Sequence, residues 1–428
     1  MIEFSAIILA AGRGVRMKSS LAKVLHTLAG RPLISHVIRE AASVKKYVKE
    51  IVVVVGYQGA QVKKEVKKFC ATTGCFDERA ITFVQQKELL GTADAVKCGL
   101  SQAHHANILV LCGDAPLLTR QTLVSFIDAF IKSKAVCSLM SAHMYQPNEL
   151  GRIVRDNDGA IRAILEKGDL PDGELGAHTE INSGMYAFDT ETLRRLIERI
   201  GLNARKKEYF LTDTIKILYG DGGKASSYVL TDNEEILGIN NRVELAAAEK
   251  IVQKRVCNAF IEDGVQILDP GSTFIAEGVK IGKNTLIYPF TFIERNVIIG
   301  STCVLGPFIR LREGTSISDN TSLGNFLEIC RSKIGKGVKI KHFSYVGDAR
   351  VHDDVNIGAG TVIANYDGKN KNHTVIEKGA FIGSDSILVA PVTIGKYAVT
   401  GAGSVVTKSV KAKTVVVGVP ARPIKKKK

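Results

Sequence analysis

The stretch Ile281-Gly282-Lys283-Asn284-Thr285-Leu286-Ile287-Tyr288-Pro289-Phe290-Thr291-Phe292-Ile293-Glu294-Arg295-Asn296-Val297-Ile298-Ile299-Gly300 decides how the second half of the chain folds. Ile281, Ile287, Ile293 and Ile299 recur at every sixth position, and the step extends back to Ile275 and forward through Leu305, Leu311, Ile317, Leu323 and Ile329. If about one residue in four is Val, Ile or Leu, such a run in register arises by chance roughly once in a million starts. Six residues advance an α-helix by about 600°, which is no whole number of turns, so these positions cannot form a helical face. They suit a β-solenoid of triangular cross-section: three hexapeptides make one coil, each aliphatic points inward, and stacked coils share a core. Strict period six is not a hairpin signal, which argues against an ordinary antiparallel domain.

Outward from that stretch the repeat has defined irregularities. After Ile329 the register slips by one residue to Ile334, runs through Ile340 and Val346, slips again at Val351 and resumes at Ile357 and Ile363. An insertion, Asn365 to Thr374, precedes Ile376, Ile382, Leu388, Ile394 and Val406, with Thr400 the one polar member. Glycine often follows the aliphatic, as at Gly282, Gly300 and Gly324, where a corner leaves little room for a side chain. On the other side, Asn241 to Asp263 reads as a linker helix with Val243, Ala247, Ile251, Val252, Val256 and Phe260 on one stripe. Before it, apolar β-rich runs (Ser5 to Leu9, Ile51 to Val55, Ile81 to Val84, Ile108 to Leu111) alternate with helical patterns such as Leu33 to Ala42 and Ala60 to Cys70. That alternation predicts a mostly parallel, Rossmann-like α/β sheet with ligands at the carboxyl ends of its strands. The domains expected are therefore residues 1–240 (α/β), 241–263 (linker helix) and 264–428 (solenoid).

Composition is consistent with this plan. A chain of 428 residues exceeds what one core usually organises, and 45% hydrophobic with 24% charged residues excludes a disordered product. Forty Gly against ten Pro, with 6% aromatics and no Trp, suits a repetitive β architecture. The net charge of +15 favours anionic partners, whether nucleotides, phosphates, nucleic acid or an anionic membrane, and its sign alone does not choose among them; the motifs lead to small-molecule substrates, with no nucleic-acid partner expected. Lys408, Lys411, Lys413, Arg422 and Lys425 to Lys428 read as a solvated basic end. The eight cysteines are scattered without zinc spacing and read as core residues of a reducing compartment. An acidic start at Glu3 and no apolar run of membrane length predict no signal peptide, no transmembrane segment and a cytoplasmic protein.

The chemistry begins after the first strand, in Leu9-Ala10-Ala11-Gly12-Arg13-Gly14-Val15-Arg16-Met17 and Leu21-Ala22-Lys23-Val24-Leu25. Glycines at a strand's carboxyl end let backbone N–H groups approach phosphates. The loop lacks the third small residue of a dinucleotide fingerprint and the Walker Lys-Ser/Thr ending. It adds two fixed cations instead, Arg16 and Lys23, suited to a triphosphate and to charge building on a transferring phosphoryl group. Asp114 follows the strand ending in Leu111-Cys112-Gly113; a carboxylate there is placed to hold a hard cation or, alternatively, to cap the next helix.

These segments resemble the signature of sugar-1-phosphate nucleotidyltransferases, and with the solenoid the whole chain is similar to the GlmU family, bifunctional N-acetylglucosamine-1-phosphate uridylyltransferases and glucosamine-1-phosphate acetyltransferases. The resemblance implies a left-handed β-helix, Mg2+ as cofactor, UTP and acetyl-CoA as substrates, a homotrimer, and a place in peptidoglycan and lipopolysaccharide precursor synthesis. It assigns Gly12, Gly14, Arg16, Lys23, Gln86, Gly91 and Thr92 to UTP, and Asp114 and Asn240 to the metal. Gly151, Glu166, Asn182 and Asn240 fall to the sugar phosphate of the uridylyl site. His342, in Lys341-His342-Phe343-Ser344-Tyr345-Val346-Gly347-Asp348, matches the catalytic base of acetyl transfer. Arg312, Tyr345, Asn356, Asn365 and Lys371 match the glucosamine-phosphate site, and Ala359, Ser384 and Ala402 the acetyl-CoA site.

The chain departs from the family at several points. Ala22 stands for a usual Pro, Ala93-Asp94 for a small residue and His, and Arg205-Lys206-Lys207 for a small polar residue and Gly. Cys330-Arg331 stands where the family places a lysine on the substrate phosphate, and the end after Gly418-Val419-Pro420 is shorter than the family's tail. The expected activity is acetylation of glucosamine-1-phosphate followed by uridylyl transfer. The alternatives are a uridylyltransferase, or another sugar nucleotidyltransferase, with a structural solenoid, and a non-catalytic scaffold.

Overall fold

The computed structural model describes residues 2–144, 150–166 and 179–424, so the basic run Lys425 to Lys428 lies outside the described residues. The chain divides into two compact units, Met1–Ala248 and Glu249–Lys428.

The strand Phe4–Ala10 lies at the centre of the first unit's sheet, and its near-continuous apolar run is what a parallel strand covered on both faces requires. It pairs in parallel with Val48–Val55 on one side and Asn107–Cys112 on the other, and Ile81–Gln85 extends the sheet beyond Val48–Val55. Beyond Asn107–Cys112 come Glu180–Asp189, antiparallel to both neighbours, then Cys137–His143 and Ala225–Val229. The antiparallel strand makes the sheet mixed, still mostly parallel as expected. Alternate residues feed two cores: Ala6, Ile8 and Ala10 face one, Ile7 and Ala11 the other. The helices Leu33–Ser43 and Gly59–Thr73 reproduce the predicted helical segments to within a few residues.

The second unit is a parallel β-helix with three columns of short strands. In the first column Ile287, Leu305 and Leu323 lie in register 18 residues apart, as three hexapeptides require. The next partners of Leu323 are Ile340 and then Ile357, each 17 residues on, so both slips in the repeat shorten one corner of successive coils. At that corner Arg331 (φ 47°) and Asp348 (φ 50°) take the left-handed conformation. The inward aliphatics are buried almost without exception, each contributing about 1.5–3 kcal/mol over exposure. Thr400 is tolerated in that column because its hydroxyl accepts from Gly383 N–H (3.0 Å) and pairs with Ser386 Oγ (3.0 Å).

The helix Arg242–Glu262 forms where a linker helix was expected, and the expected stripe is its packed face only in part: Val256 and Phe260 lie against the solenoid core, while the first members of the stripe do not. Val243 is 80% exposed, whereas Ala248, Gln253 and Cys257 are buried. The physical reason is polar: Gln253 Oε1 accepts from Ile275 N–H (2.9 Å), an anchor that hydrophobic periodicity cannot register. Among the described residues no helix is long and apolar enough to cross a membrane.

Candidate functional site

In the first unit the candidate residues gather at the carboxyl edge of the sheet. Gly12 and Gly14 follow the first strand, Gln86 follows Ile81–Gln85, and Asp114 follows Asn107–Cys112. They line one cleft of about 430 Å³ together with Lys23, Gly91, Thr92 and Glu208. Gly14 has φ +69°, and a Cβ there would meet Lys23 Cβ, so the glycine lets the loop close over the lysine's stem. Gly91 has φ +104°, and a Cβ there would lie 2.6 Å from Tyr209 O; the backbone bonds Tyr209 N–H to Leu90 O (2.7 Å) and Ala93 N–H to Tyr209 O (2.9 Å) press the two segments together. Thr92 Oγ1 accepts from Leu211 N–H (3.0 Å), which fixes the start of the helix Thr92–Leu100 against the same segment.

Lys23 Nζ is the hub of the polar end. It donates to Asp114 Oδ2 and, at 3.1 Å, to Asn240 Oδ1. Ile239 N–H donates to Asp114 O (2.9 Å) and so brings Asn240 to the strand end across a long stretch of sequence. Asn240 Nδ2 donates to Gly238 O (3.1 Å), and its N–H to Glu244 Oε2 (2.6 Å), so its carbonyl is the group turned toward the ammonium. Two oxygens thus converge on one cation position, a donor set that suits a hard divalent ion completed by phosphates and water. Among the described residues no cluster of three or more His, Cys, Asp or Glu forms a metal cage. The capping alternative for Asp114 is excluded, because the helix Arg120–Ser133 is capped by Thr119, whose hydroxyl accepts from Thr122 N–H (3.2 Å). Cys112 lines the cleft, but burial first, and then the Asp114 carboxylate, pushes its thiol up to about 12.

Arg16 does not line that cleft. It stands on the short turn Val15–Met17 and lines an adjoining cavity of about 520 Å³ with Asn240, Asn241 and Glu244. Gly151, Glu166 and Asn182 come together near the strand Glu180–Asp189. Asn182 N–H donates to Gly151 O (2.9 Å), and Glu166 Oε1 accepts from Thr212 Oγ1 (3.2 Å). Asn182 Nδ2 donates to the buried Tyr186 hydroxyl (2.8 Å), whose pKa burial holds well above its ordinary value. Tyr186, Thr212, Glu208 and Glu244 escaped the sequence reading, since each acts by orienting or flanking a motif residue and lies in no motif.

The departures near this site have structural counterparts. The N–H that Ala22 has and a proline would lack donates to Gln58 Oε1 (2.7 Å), and Gln58 Nε2 donates to Ser20 O (2.9 Å). Lys207 takes φ 53°, a conformation natural to the glycine usual there. Asp94 Oδ2 accepts from Gln86 Nε2 (2.7 Å).

In the solenoid, His342 is exposed, and its Nδ1 faces Asn325 Oδ1 (3.3 Å) on the preceding coil, where the two residues are register partners. An acceptor at Nδ1 keeps the proton there and leaves the Nε2 lone pair available. Arg312 donates from Nη1 to Glu328 Oε1 (2.8 Å). Cys330 is buried with Sγ 3.3 Å from the Tyr345 hydroxyl, whose pKa is raised by burial and then by Cys330. Arg331 is bound by Asp348 through both carboxylate oxygens (2.6 and 2.7 Å), and Asp348 accepts from Asn365 Nδ2 as well. The corner therefore joins Arg331, Tyr345, Asp348 and Asn365, with Lys371 on the insertion close enough to lower the Asp348 pKa further. Asn356 sits on the first column instead, in register with Lys339 and Phe381. Ala359, Ser384 and Ala402 occupy the same position, two residues past Ile357, Ile382 and Thr400, on three successive coils.

Comparison with known proteins accounts for both units. Residues 6–169 match the family model of MobA-like NTP transferase domains, and residues 331–365 and 373–408 match the bacterial transferase hexapeptide repeat. The chain is 37% identical to the bifunctional protein GlmU of Geobacillus thermodenitrificans, over 98% of this chain and 96% of the relative. It is 39% identical to that of Heliobacterium modesticaldum over 96% and 94%, and 37% to that of Desulfitobacterium hafniense over 97% and 96%. HddC from Yersinia pseudotuberculosis, a solved structure, aligns over 58% of this chain and 99% of its own at TM-score 0.43 and 16% identity. An NTP-transferase unit followed by a left-handed hexapeptide β-helix, with relatives this similar end to end, places the chain in the GlmU family of bifunctional nucleotidyl- and acetyltransferases.

Proposed function

We propose that the enzyme makes UDP-N-acetylglucosamine, acetylating glucosamine-1-phosphate in the solenoid and then joining the product to UTP in the α/β unit. The observation that carries this reading is the convergence of Lys23, Asp114 and Asn240 beside the Gly12–Gly14 loop and Gln86. Gln86, Gly91 and Thr92 take the base, and Gly12, Gly14, Arg16 and Lys23 the phosphates. Gly151, Glu166 and Asn182 take the sugar. Asp114 and Asn240 hold a magnesium ion, which supplies charge neutralisation on the phosphates. The sugar phosphate oxygen attacks the α-phosphorus in line while the bond to pyrophosphate breaks, and Lys23 and Arg16 offset the charge that develops. No protein nucleophile is required.

In the acetyl site the amine of glucosamine-1-phosphate attacks the thioester carbonyl, forming the C–N bond and releasing the coenzyme A thiol. His342 Nε2 takes the amine proton, and Ser384 donates to the developing oxyanion. Arg312, Tyr345, Asn356, Asn365 and Lys371 face the sugar phosphate, and Ala359 and Ala402 flank the coenzyme. A homotrimer completes this site. Its support is a ladder of Phe290, Phe308 and Phe326, stacked at 4.8 and 5.0 Å and exposed by 55, 45 and 60%. Their left-handed φ values of 53–58° are those of other solenoid corners such as Asn284 and Thr302, so the support lies in the exposed apolar ladder itself, which a neighbouring subunit would cover. The reaction runs on soluble substrates, as a cytoplasmic enzyme would.

Two half-reactions test the proposal: pyrophosphate release from UTP and N-acetylglucosamine-1-phosphate with Mg2+, and thiol release from acetyl-CoA with glucosamine-1-phosphate. Both should proceed. Absence of the first refutes the reading of the α/β unit, and absence of the second that of the solenoid.

A further inference from the structure

In the α/β cleft the Gln86 amide is held by Asp94, a position at which the chain departs from the family. Gln86 is 3% exposed and lines the cleft, so its amide can present little beyond one group to a ligand. Its Nε2 donates to Asp94 Oδ2 (2.7 Å) and to Gly91 O (3.1 Å). An ionised carboxylate and a backbone carbonyl can only accept, so the amide cannot be turned over without setting oxygen against oxygen. Both amide hydrogens are thereby used, and the acceptor Oε1 is what the side chain retains for the base.

We infer that Asp94 is a positioning residue that locks Gln86 as a hydrogen-bond acceptor and so makes the cleft select pyrimidines bearing an N3–H, uracil and thymine, over cytosine. Uracil carries a proton on N3, whereas cytosine carries a lone pair there. A locked acceptor satisfies the first and opposes the second. This inference rests on the proposed use of UTP and names what fixes the base. Discrimination by an oriented polar group exceeds that from pocket shape alone, because the wrong base leaves buried groups unpaired.

The test is kcat/KM for UTP, CTP and dTTP with N-acetylglucosamine-1-phosphate and Mg2+, in the full-length enzyme and in Asp94→Asn and Asp94→Ala. Asn is nearly isosteric and can present an NH2 group in place of the carboxylate, and Ala removes the anchor altogether, so in both variants Gly91 O alone opposes the turned amide. Thermal melting of both variants establishes that they are folded, and either one suffices. The ratio of UTP to CTP should fall at least about tenfold, mainly through KM, while the ratio of UTP to dTTP, which share the N3–H, stays within about threefold. A merely structural role for Asp94 would lower all three nucleotides together, and that result, or an unchanged UTP to CTP ratio, overturns the inference. A wild-type enzyme that does not turn over UTP at all overturns the proposed function beneath it, a result separable from the first by the wild-type assay alone.

Discussion

The two candidate sites of this chain are made differently. In the α/β unit, loops distant in sequence meet at the ends of parallel strands, and orienting bonds fix what they present: Gly238 O turns Asn240, Asp94 turns Gln86, and Leu211 N–H holds Thr92. In the solenoid, site residues come from different positions on neighbouring coils, with only Ala359, Ser384 and Ala402 repeating one position; His342 is exposed, and the charged groups are paired with each other, Arg312 with Glu328 and Arg331 with Asp348. A twisted open sheet has a crevice at its carboxyl edge and can enclose a substrate alone. A solenoid presents long, shallow faces, so under the proposed homotrimer a second copy of the chain would enclose the site there.

The largest expected effects divide the two sites cleanly. Asp114→Ala should lower uridylyl transfer by about 10³-fold or more while acetyl transfer stays within about twofold. His342→Ala should do the reverse, with acetyl transfer falling by about 10²–10⁴-fold. Measuring both half-reactions in both variants checks this, and a variant that loses both together breaks the comparison. Dilution sharpens it further. Acetyl transfer per protomer should fall as the protein is diluted below the concentration at which sedimentation shows subunits separating, while uridylyl transfer per protomer stays constant. Acetyl transfer by a dissociated chain would show that the solenoid site is complete on its own.

A smaller effect tests how tightly the α/β cleft is assembled. In Gly91→Ala the new Cβ meets Tyr209 O from a backbone at φ +104°, a strain of about 1–3 kcal/mol. Uridylyl transfer should drop about tenfold and the first unit's melting temperature should fall, with acetyl transfer and the solenoid's melting unchanged. Equal losses in both units would mean that they do not melt independently.

What could be read from the sequence follows the same division. The solenoid's core was legible residue by residue, because a period of six has one structural solution and Ile275 to Val406 obey it. The one-residue slips were visible too, but not that they bury Cys330 and place Arg331 against Asp348, since that depends on which corner shortens. In the α/β unit the strand ends, the glycine loop and Asp114 were legible because parallel sheets expose function at fixed places. Arg16 and Lys23 were expected as two cations within reach of one loop; Lys23 lines the cleft and Arg16 the cavity beside Asn240, a division that spacing does not reveal. Glu244, Tyr186 and Thr212 left no signal, because a residue that orients another is chosen by three-dimensional neighbours and not by spacing. The linker stripe held only in part, at Val256 and Phe260, for a related reason: Gln253, polar, also anchors the helix.

The two units should also part company in acid. His36 is buried with Nε2 2.9 Å from Leu28 O, and burial, ahead of Arg39 and Arg31, lowers its pKa to about 4 from 6.5. His26 in the same unit is lowered too, again by burial first and then by Arg242. A histidine held neutral in the folded state binds its proton only on unfolding, so its contribution is complete above about pH 6.5 and is lost as pH falls toward 4, by about 3 kcal/mol for His36. In the solenoid the dominant buried group is Asp348, whose carboxyl Arg331 first, and then Asn365, hold below its ordinary 3.8. That contribution is present above about pH 4 and is lost only as pH falls through the depressed value. Between pH 7 and 5 the α/β unit should therefore lose stability while the solenoid keeps its own. Calorimetry at stepped pH should show two transitions moving apart by several degrees, and His36→Gln should flatten the lower one. A gap that stays constant, or a solenoid that softens first, would mean that these groups do not set the acid response of either unit.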